Sequence, residues 1–473
     1  MNDLDLINNI NSYILKQSNS FMSSTVLGHP TFIQVEVSNI CNLSCIMCPI
    51  EEYQAAKKRK LTLDEFQRIL SQFPFLKSIA LFGLGEPLNN PRIFEMIKIC
   101  KSKQIYTGVT TNATLLNEKR RSELINSGLD QLFISIDSIE PENYESVRIG
   151  AKFESVIENV KELIRQRNSL GKSQPSVGIV VVLMNINGRE LTKIMNFVYQ
   201  LGVDFLLIKG LNTAYFEPSK LQYAGDEFDD AFSLSEALKS KGFDIQFSFP
   251  HKDKKQPRCH WPWMATFVTV NGDITPCCNC PDPMTISFGN LFEQRFLEIW
   301  NNQRYRDFRT RLRKEIPSLC SSCPDHSFDY LREQPMISPV FDEHNEISCL
   351  EFTDANTSYK PGETITINLS DISRSVPSEP VDLWVSIRMP NGQRFFLVNN
   401  PSEFLFSSAP EPFKNALKRT VKKHPIFASM KIPENAMKGK YIFYAIYQKE
   451  KAPLSHFQKN LRSNIAKQTI TLI

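Results

Sequence analysis

The chain reads as an α/β protein built on a parallel sheet, followed by a cysteine-rich segment and an all-β C-terminal region. Three observations predict this. Six strand-like segments alternate with helix-like ones between about 30 and 210. Six cysteines fall between positions 259 and 323. Beyond about 345, apolar and polar residues alternate with period two and are broken by KPGE, PNGQ and KGK turns, the pattern of a sandwich.

The elements follow in order. FIQVEVS is strand-like, and LTLDEFQRILSQF is helical, with Thr62 and Glu65 spaced as a capping box. KSIALFG, IYTGVTT and QLFISID are the next strands. Between them lie the helices PRIFEMIKICKSK and EKRRSELINSG, the second closed by Gly128. The long amphipathic stretch KFESVIENVKELIRQRN leads to strand SVGIVVVLM, helix ELTKIMNFVYQLG and strand VDFLLIKG. Periodicity does not choose between an open doubly wound sheet and a complete or partial barrel. Segment 211–258 reads as a connector with one helix and one strand. FVTVNGDITPC reads as a β-hairpin turning at Asn271-Gly272. Trp384, Phe395 and Phe396 are expected in the sandwich core.

At 473 residues the chain accommodates two or three domains. Its net charge of +4 gives no argument for nucleic acid or a membrane surface, and KKRK at 57–60 reads as a solvated loop. No signal peptide or long apolar span stands out, which predicts a cytoplasmic protein. In a reducing compartment, clustered cysteines point to metal rather than disulfides. Of the eleven cysteines, only Cys100 and Cys349 stand alone, and both are expected as small buried hydrophobes.

Polar motifs fall at the carboxyl ends of consecutive strands, where parallel α/β folds place their sites. Strand one runs into Cys41, Cys45 and Cys48, spaced C-x3-C-x2-C. Strand two runs into GLGEP at 83–87, strand three ends in Thr110, Thr111 and Asn112, and strand four carries Ser135 to Asp137. Three thiolates on a short loop suit a soft metal. Zinc held by three protein ligands, or a four-iron cluster held by three cysteines, would keep one coordination position open.

CxxxCxxC after the first strand, with GxGEP after the second, resembles the radical S-adenosylmethionine (SAM) superfamily. The resemblance covers about 32–210 and implies a partial six-stranded β/α barrel. It also implies a four-iron cluster held by Cys41, Cys45 and Cys48, whose open iron chelates SAM. Reductive cleavage of SAM then gives methionine and a 5′-deoxyadenosyl radical that abstracts hydrogen from a substrate. Carried over by residue, Gly83, Gly85 and Glu86 match the turn that contacts the SAM amino group, here through backbone carbonyl since Leu84 holds the middle position. Thr111, Asn112 and Ser135 match polar positions near SAM, and Arg148 resembles an arginine reaching the SAM carboxylate. Met47 stands where an aromatic residue is common.

Cys259, the Gly272-x4-Cys277 hairpin, GNLFE, EIW and the pair Cys320 and Cys323 resemble SPASM auxiliary-cluster domains, and more closely their shortened relative, twitch. That implies one auxiliary four-iron cluster on Cys259, Cys277, Cys320 and Cys323; Cys278 and Cys280 are left over and read as non-ligands beside it, with replacement of a ligand by either left open. The expected division is an N-terminal extension at 1–30, the barrel at 31–215, a connector at 216–258, the auxiliary domain at 259–335 and the β-sandwich at 345–473. The expected substrate is a peptide or protein, or a carbohydrate. Only 40 residues precede Cys41, which favours a substrate without a separately bound leader. A flavodoxin or ferredoxin is the expected electron donor, with no nucleic acid or membrane partner. The alternative is a non-enzymatic zinc-binding interaction protein.

Overall fold

The computed structural model describes residues 11–12, 15, 18–19, 22–26, 28–51, 57–212, 228–248, 259–321, 323, 348, 350–372, 379–399, 404–418, 420, 422–452 and 461–473. Cys349 lies outside them.

Strands β1 (Phe32–Val35), β2 (Ser78–Ala80), β3 (Tyr106–Thr111), β4 (Gln131–Ser135), β5 (Ser176–Leu183) and β6 (Phe205–Gly210) lie side by side in chain order, all parallel. Helices cross back between them, as parallel pairing requires. The first, Leu63–Ser71, starts at the expected capping box, with Thr62 and Glu65 each satisfying the other's backbone N–H. Helix Glu118–Ser127 ends at Gly128, whose φ of +82° is the left-handed cap conformation. β5 reads SVGIVVVL with hydrophobic residues on both faces, as expected for a strand covered on both sides.

The sheet extends beyond six strands. β7 (Asp244–Ser248), in the stretch expected to be a connector, pairs parallel with β6. At the other edge β8 (Ala265–Val268) pairs parallel with β1 and turns through the expected hairpin into β9 (Asp273–Thr275), followed by β10 (Gly289–Asn290). Gly272 has φ +87° at the turn, where a Cβ would collide with the Phe292 ring and Asn290. The edge strands β7 and β10 do not pair, so the ten-stranded sheet stays open as a partial barrel. The cysteine-rich segment is thus grafted onto the barrel sheet through β8.

The C-terminal region holds β11 (Leu350–Thr353), β12 (Ser358–Tyr359), β13 (Thr364–Asp371), β14 (Val381–Arg388), β15 (Arg394–Asn399), β16 (Phe404–Ser407), β17 (Lys414–Leu417), β18 (Lys423–Lys431), β19 (Gly439–Lys449) and β20 (Ala466–Leu472). They form a sheet β11-β13-β18 and a larger sheet β12-β20-β19-β14-β15-β16, with β17 also on β14. Leu350, Ile367 and Phe427 of the first share a core with Leu383, Val385 and Phe443 of the second. Alternation along β14 puts Trp384 on the face opposite Leu383 and Val385. There it meets Phe396 edge-on, so these two rings lie outside the sandwich core, whereas Phe395 packs against it.

The outer face of the larger sheet seats on the base of the barrel, just before β1 and β2. Tyr444, Leu461 and Ile465 bury Phe75. Lys467 Nζ donates to the Pro74 carbonyl at 2.9 Å and lies over the Phe75 ring. His29 is fully buried beside Asn464, and burial depresses its imidazole from 6.5 to about 4. No helix among the described residues is long and apolar enough to cross a membrane. Lys57, Lys58 and Lys60 are exposed, and Arg59 pairs with Glu65.

Candidate active site and auxiliary thiol site

The segment after β1 climbs to the rim and folds into the loop carrying Cys41, Cys45 and Cys48. A two-residue antiparallel pairing of Ser44 and Cys45 with Ile149 and Arg148 ties this loop down. The Cys48 N–H donates to the Cys45 carbonyl at 3.0 Å, closing a tight C-x2-C turn. N–H donors face the sulfurs. Leu43 N–H lies 3.4 Å and Asn112 Nδ2 4.0 Å from Cys41 Sγ, and Arg148 Nη1 lies 3.9 Å from Cys45 Sγ. Such donors favour thiolate. Without metal, burial pushes all three thiols up, Cys48 to about 12. Binding a cation there would have to displace the thiol protons.

The GLGE turn packs directly under the loop. A Cβ on Gly85 would lie 2.3 Å from the Ser38 carbonyl oxygen, and one on Gly83 would strike the Glu36 side chain, so only glycine fits at either place. Glu86 is buried, and burial raises its carboxyl above the ordinary value. Its carboxylate accepts from Leu88 N–H, Thr111 Oγ1 and Asn112 N–H at 3.0, 2.6 and 2.8 Å. The side chains of Glu86 and Thr111 therefore build the scaffold, which leaves backbone groups of the turn to face a ligand. Asn112 bridges to the loop through Asn42 at 3.2 Å. Ser135 ends β4, half-buried, at the same rim.

Arg148 is buried and forms a 2.7 Å ion pair with Asp137, itself fully buried. Burial opposes the Arg148 charge, and Asp137 and the Cys45 sulfur outweigh it. In this conformation Arg148 braces the cysteine loop from beneath. Glu36 bridges two regions, one oxygen accepting from Leu84 N–H at 3.0 Å and the other from Val270 N–H of the β8–β9 turn at 3.1 Å. Sequence reasoning placed Asp137 in the rim motif of strand four without giving it a role, and did not single out Glu36. The available signal was an acid in or beside an otherwise apolar parallel strand.

The second thiol site gathers residues from three distant segments. Cys259 is buried, with Cys277, Cys323 and Cys320 as its charged-state neighbours. Cys323 Sγ receives Asn279 Nδ2 at 3.6 Å. Cys280, expected as a bystander, is 4% exposed, and its thiol is in hydrogen-bonding contact with Cys277 and Cys320. Cys278 lines a cavity of about 180 Å³ together with Met47, Leu84, Val182, Lys209 and Asn212. That cavity opens between the two thiol sites. Met47 also packs with Val147, Met184 and Leu211, as an apolar wall.

Among the described residues no group of three or more His, Cys, Asp or Glu side chains is arranged to hold a single ion. A polynuclear cluster spreads its thiolates over several metal atoms. The two all-sulfur donor sets, with N–H groups aimed at the sulfurs, fit iron–sulfur clusters.

Residues 35–198 match the radical SAM superfamily. That stretch of the chain is a radical SAM domain. Residues 259–324 match the SPASM iron–sulfur cluster-binding domain. The cofactors of these domains are a SAM-binding four-iron cluster, SAM, and an auxiliary cluster. The chain is similar to the tungsten-containing aldehyde ferredoxin oxidoreductase cofactor-modifying protein of Pyrococcus furiosus, at 27% identity over 62% of this chain and 86% of that protein. It is similar to the AdoMet-dependent heme synthase of Methanosarcina barkeri, at 25% identity over 65% and 95%. In fold it resembles SuiB of Streptococcus suis bound to S-adenosylmethionine, with TM-score 0.51 and 17% identity, covering 68% of this chain and 78% of that one. This radical SAM chain is an enzyme of the superfamily's kind.

Proposed function

We propose that the chain cleaves SAM at Cys41, Cys45 and Cys48 and abstracts hydrogen from a peptide, protein or carbohydrate-type substrate seated between that loop and the auxiliary site. The single observation that supports this most is the cavity that joins Met47 and Leu84, beside the loop, to Cys278, beside the auxiliary thiols.

When bound, the cluster and SAM supply the 5′-deoxyadenosyl radical. The chain's own residues do the rest. Cys41, Cys45 and Cys48 would hold the cluster, which supplies SAM binding and its reductive cleavage. Backbone groups of Gly83 and Gly85 and the side chains of Asn112 and Ser135 receive SAM. Arg148, held by Asp137, keeps positive charge beside the sulfurs. Glu86 and Thr111 fix the turn from within. Cys259, Cys277, Cys320 and Cys323 would hold an auxiliary cluster, which would supply electron transfer or a substrate anchor. A flavodoxin or ferredoxin delivers the electron in the cytoplasm. We place the barrel with its β7 extension, the auxiliary segment from Cys259 and the β-sandwich from about 345 as three successive units.

The test is anaerobic reconstitution with iron and sulfide, reduction, addition of SAM and assay for 5′-deoxyadenosine. About eight irons per chain with 5′-deoxyadenosine formed supports the reading, two four-iron clusters accounting for the iron. No iron and no cleavage overturns it.

A further inference from the structure

We infer that Cys280 is an alternate ligand of the auxiliary cluster, competing with Cys259 for one coordination position while Cys277, Cys320 and Cys323 stay bound. The inference rests on the reading of Cys259–Cys323 as an auxiliary-cluster site and goes beyond its four family positions.

The geometry is that of paired C-x2-C turns. The Cys280 N–H donates to the Cys277 carbonyl at 3.2 Å, and the Cys323 N–H donates to the Cys320 carbonyl at 3.1 Å. The same closure, at 3.0 Å, shapes Cys45 and Cys48 in the SAM-binding loop. A turn closed this way presents both sulfurs toward a common point. Cys280 Sγ also lies 3.5 Å from the Leu319 carbonyl, immediately before Cys320, so the two turns face each other.

Cys259 approaches from the short segment ahead of helix Trp261–Met264. Its thiol neighbours are Cys277, Cys323 and Cys320, whereas those of Cys280 are Cys277 and Cys320. Both residues therefore flank the same pair, Cys277 and Cys320. Five sulfurs surround a site for which a four-iron cluster needs four.

Exchange between them is balanced and redox-neutral. The Cys280 sulfur gives up its proton as it bonds iron, and the Cys259 sulfur takes one up as it leaves. A site able to swap one ligand keeps its iron when that ligand is pulled away.

The test uses the full chain with Cys41, Cys45 and Cys48 all changed to Ala, so that all iron reports the auxiliary site. Cys259→Ala, Cys280→Ala and both together are introduced on this background. Each protein is reconstituted anaerobically, its iron and sulfide are counted, and the dithionite-reduced EPR spectrum is recorded. The expected result is about four irons in the background and in each single variant. The two single variants should differ in g-values, because their ligand sets differ. The double variant should lose iron to a chelator at least about tenfold faster than either, lacking the fourth ligand.

Iron in the background but none in Cys259→Ala, with far-UV dichroism unchanged, overturns the alternate ligand and leaves the auxiliary site standing. Loss of dichroism in Cys259→Ala shifts the decision to Cys259→Ser, read the same way. A double variant that keeps iron as firmly as the single ones also overturns the inference. No iron in the background overturns the auxiliary site itself, and the alternate ligand with it.

Discussion

The two ends of the parallel strands are built from opposite materials. The rim after β1 to β4 collects three thiols, a buried Arg148–Asp137 pair and the buried carboxylates of Glu36 and Glu86. The base, just before β1 and β2, offers Phe75 to the apolar face of Tyr444, Leu461 and Ile465, and the titratable His29 there is kept neutral. The rim carries buried polar groups that cost stability unless each is partnered. The base spends the same burial on adhesion. Chemistry and attachment are therefore separable in this molecule, and each can be perturbed while the other is watched.

The largest expected effect is at the rim. Changing Cys41, Cys45 and Cys48 together to Ala should reduce 5′-deoxyadenosine formation to background while the auxiliary iron remains. Persistent SAM cleavage would refute the rim assignment. Next is Arg148→Met, which strands Asp137 as an uncompensated buried charge and should cost about 3–5 kcal/mol in chemical denaturation. An unchanged midpoint would mean that the pair is not buried as described.

At the base, Phe75→Ala should cost about 3 kcal/mol by leaving a cavity under β19 and β20. SAM cleavage per iron-loaded chain should be unchanged. A parallel loss of cleavage would break the comparison, since it would couple the two ends. Acid offers a reversible version of the same test. His29 has a folded pKa of about 4 against 6.5 when free, so folding requires the neutral ring. Its contribution is complete above pH 6.5 and is lost as pH falls toward 4, on the order of 3 kcal/mol in total. Unfolding midpoints at pH 7 and pH 5 should differ in wild type, and by less in His29→Gln. The smallest effect is Glu36→Gln, which trades one acceptor for a donor facing a backbone N–H and should cost about 1–3 kcal/mol.

Much of the barrel was legible because its signals are local. Thr62 and Glu65 cap one helix, Gly128 ends another, and Asn271-Gly272 turns the hairpin. The three rim cysteines sit within eight residues, so spacing alone groups them. What escaped is long-range. β7 is the one strand expected in the connector, and only its pairing with β6 reveals that it extends the barrel sheet. The contact of Cys280 with Cys277 and Cys320 likewise depends on the distant 320–323 turn arriving alongside. Glu86 carries a family motif, yet its inward hydrogen bonds to Thr111 and Asn112 depend on β3 arriving alongside. Nothing in the C-terminal sequence indicates that its sheet rests on Phe75.

That seat at the base has a consequence for reach. β5 is eight residues long, and at about 3.3 Å per residue it spans roughly 26 Å from base to rim. A molecule gripped by β19 or β20 would have to bridge a distance of that order to reach the loop of Cys41, Cys45 and Cys48. A single sugar is far too short to touch both places. A polypeptide with about eight extended residues between grip and target is not. Tether length therefore discriminates between the two substrate classes. Shortening a candidate peptide should abolish its turnover at a definite length if the C-terminal sheets hold it, and should have no threshold if they do not.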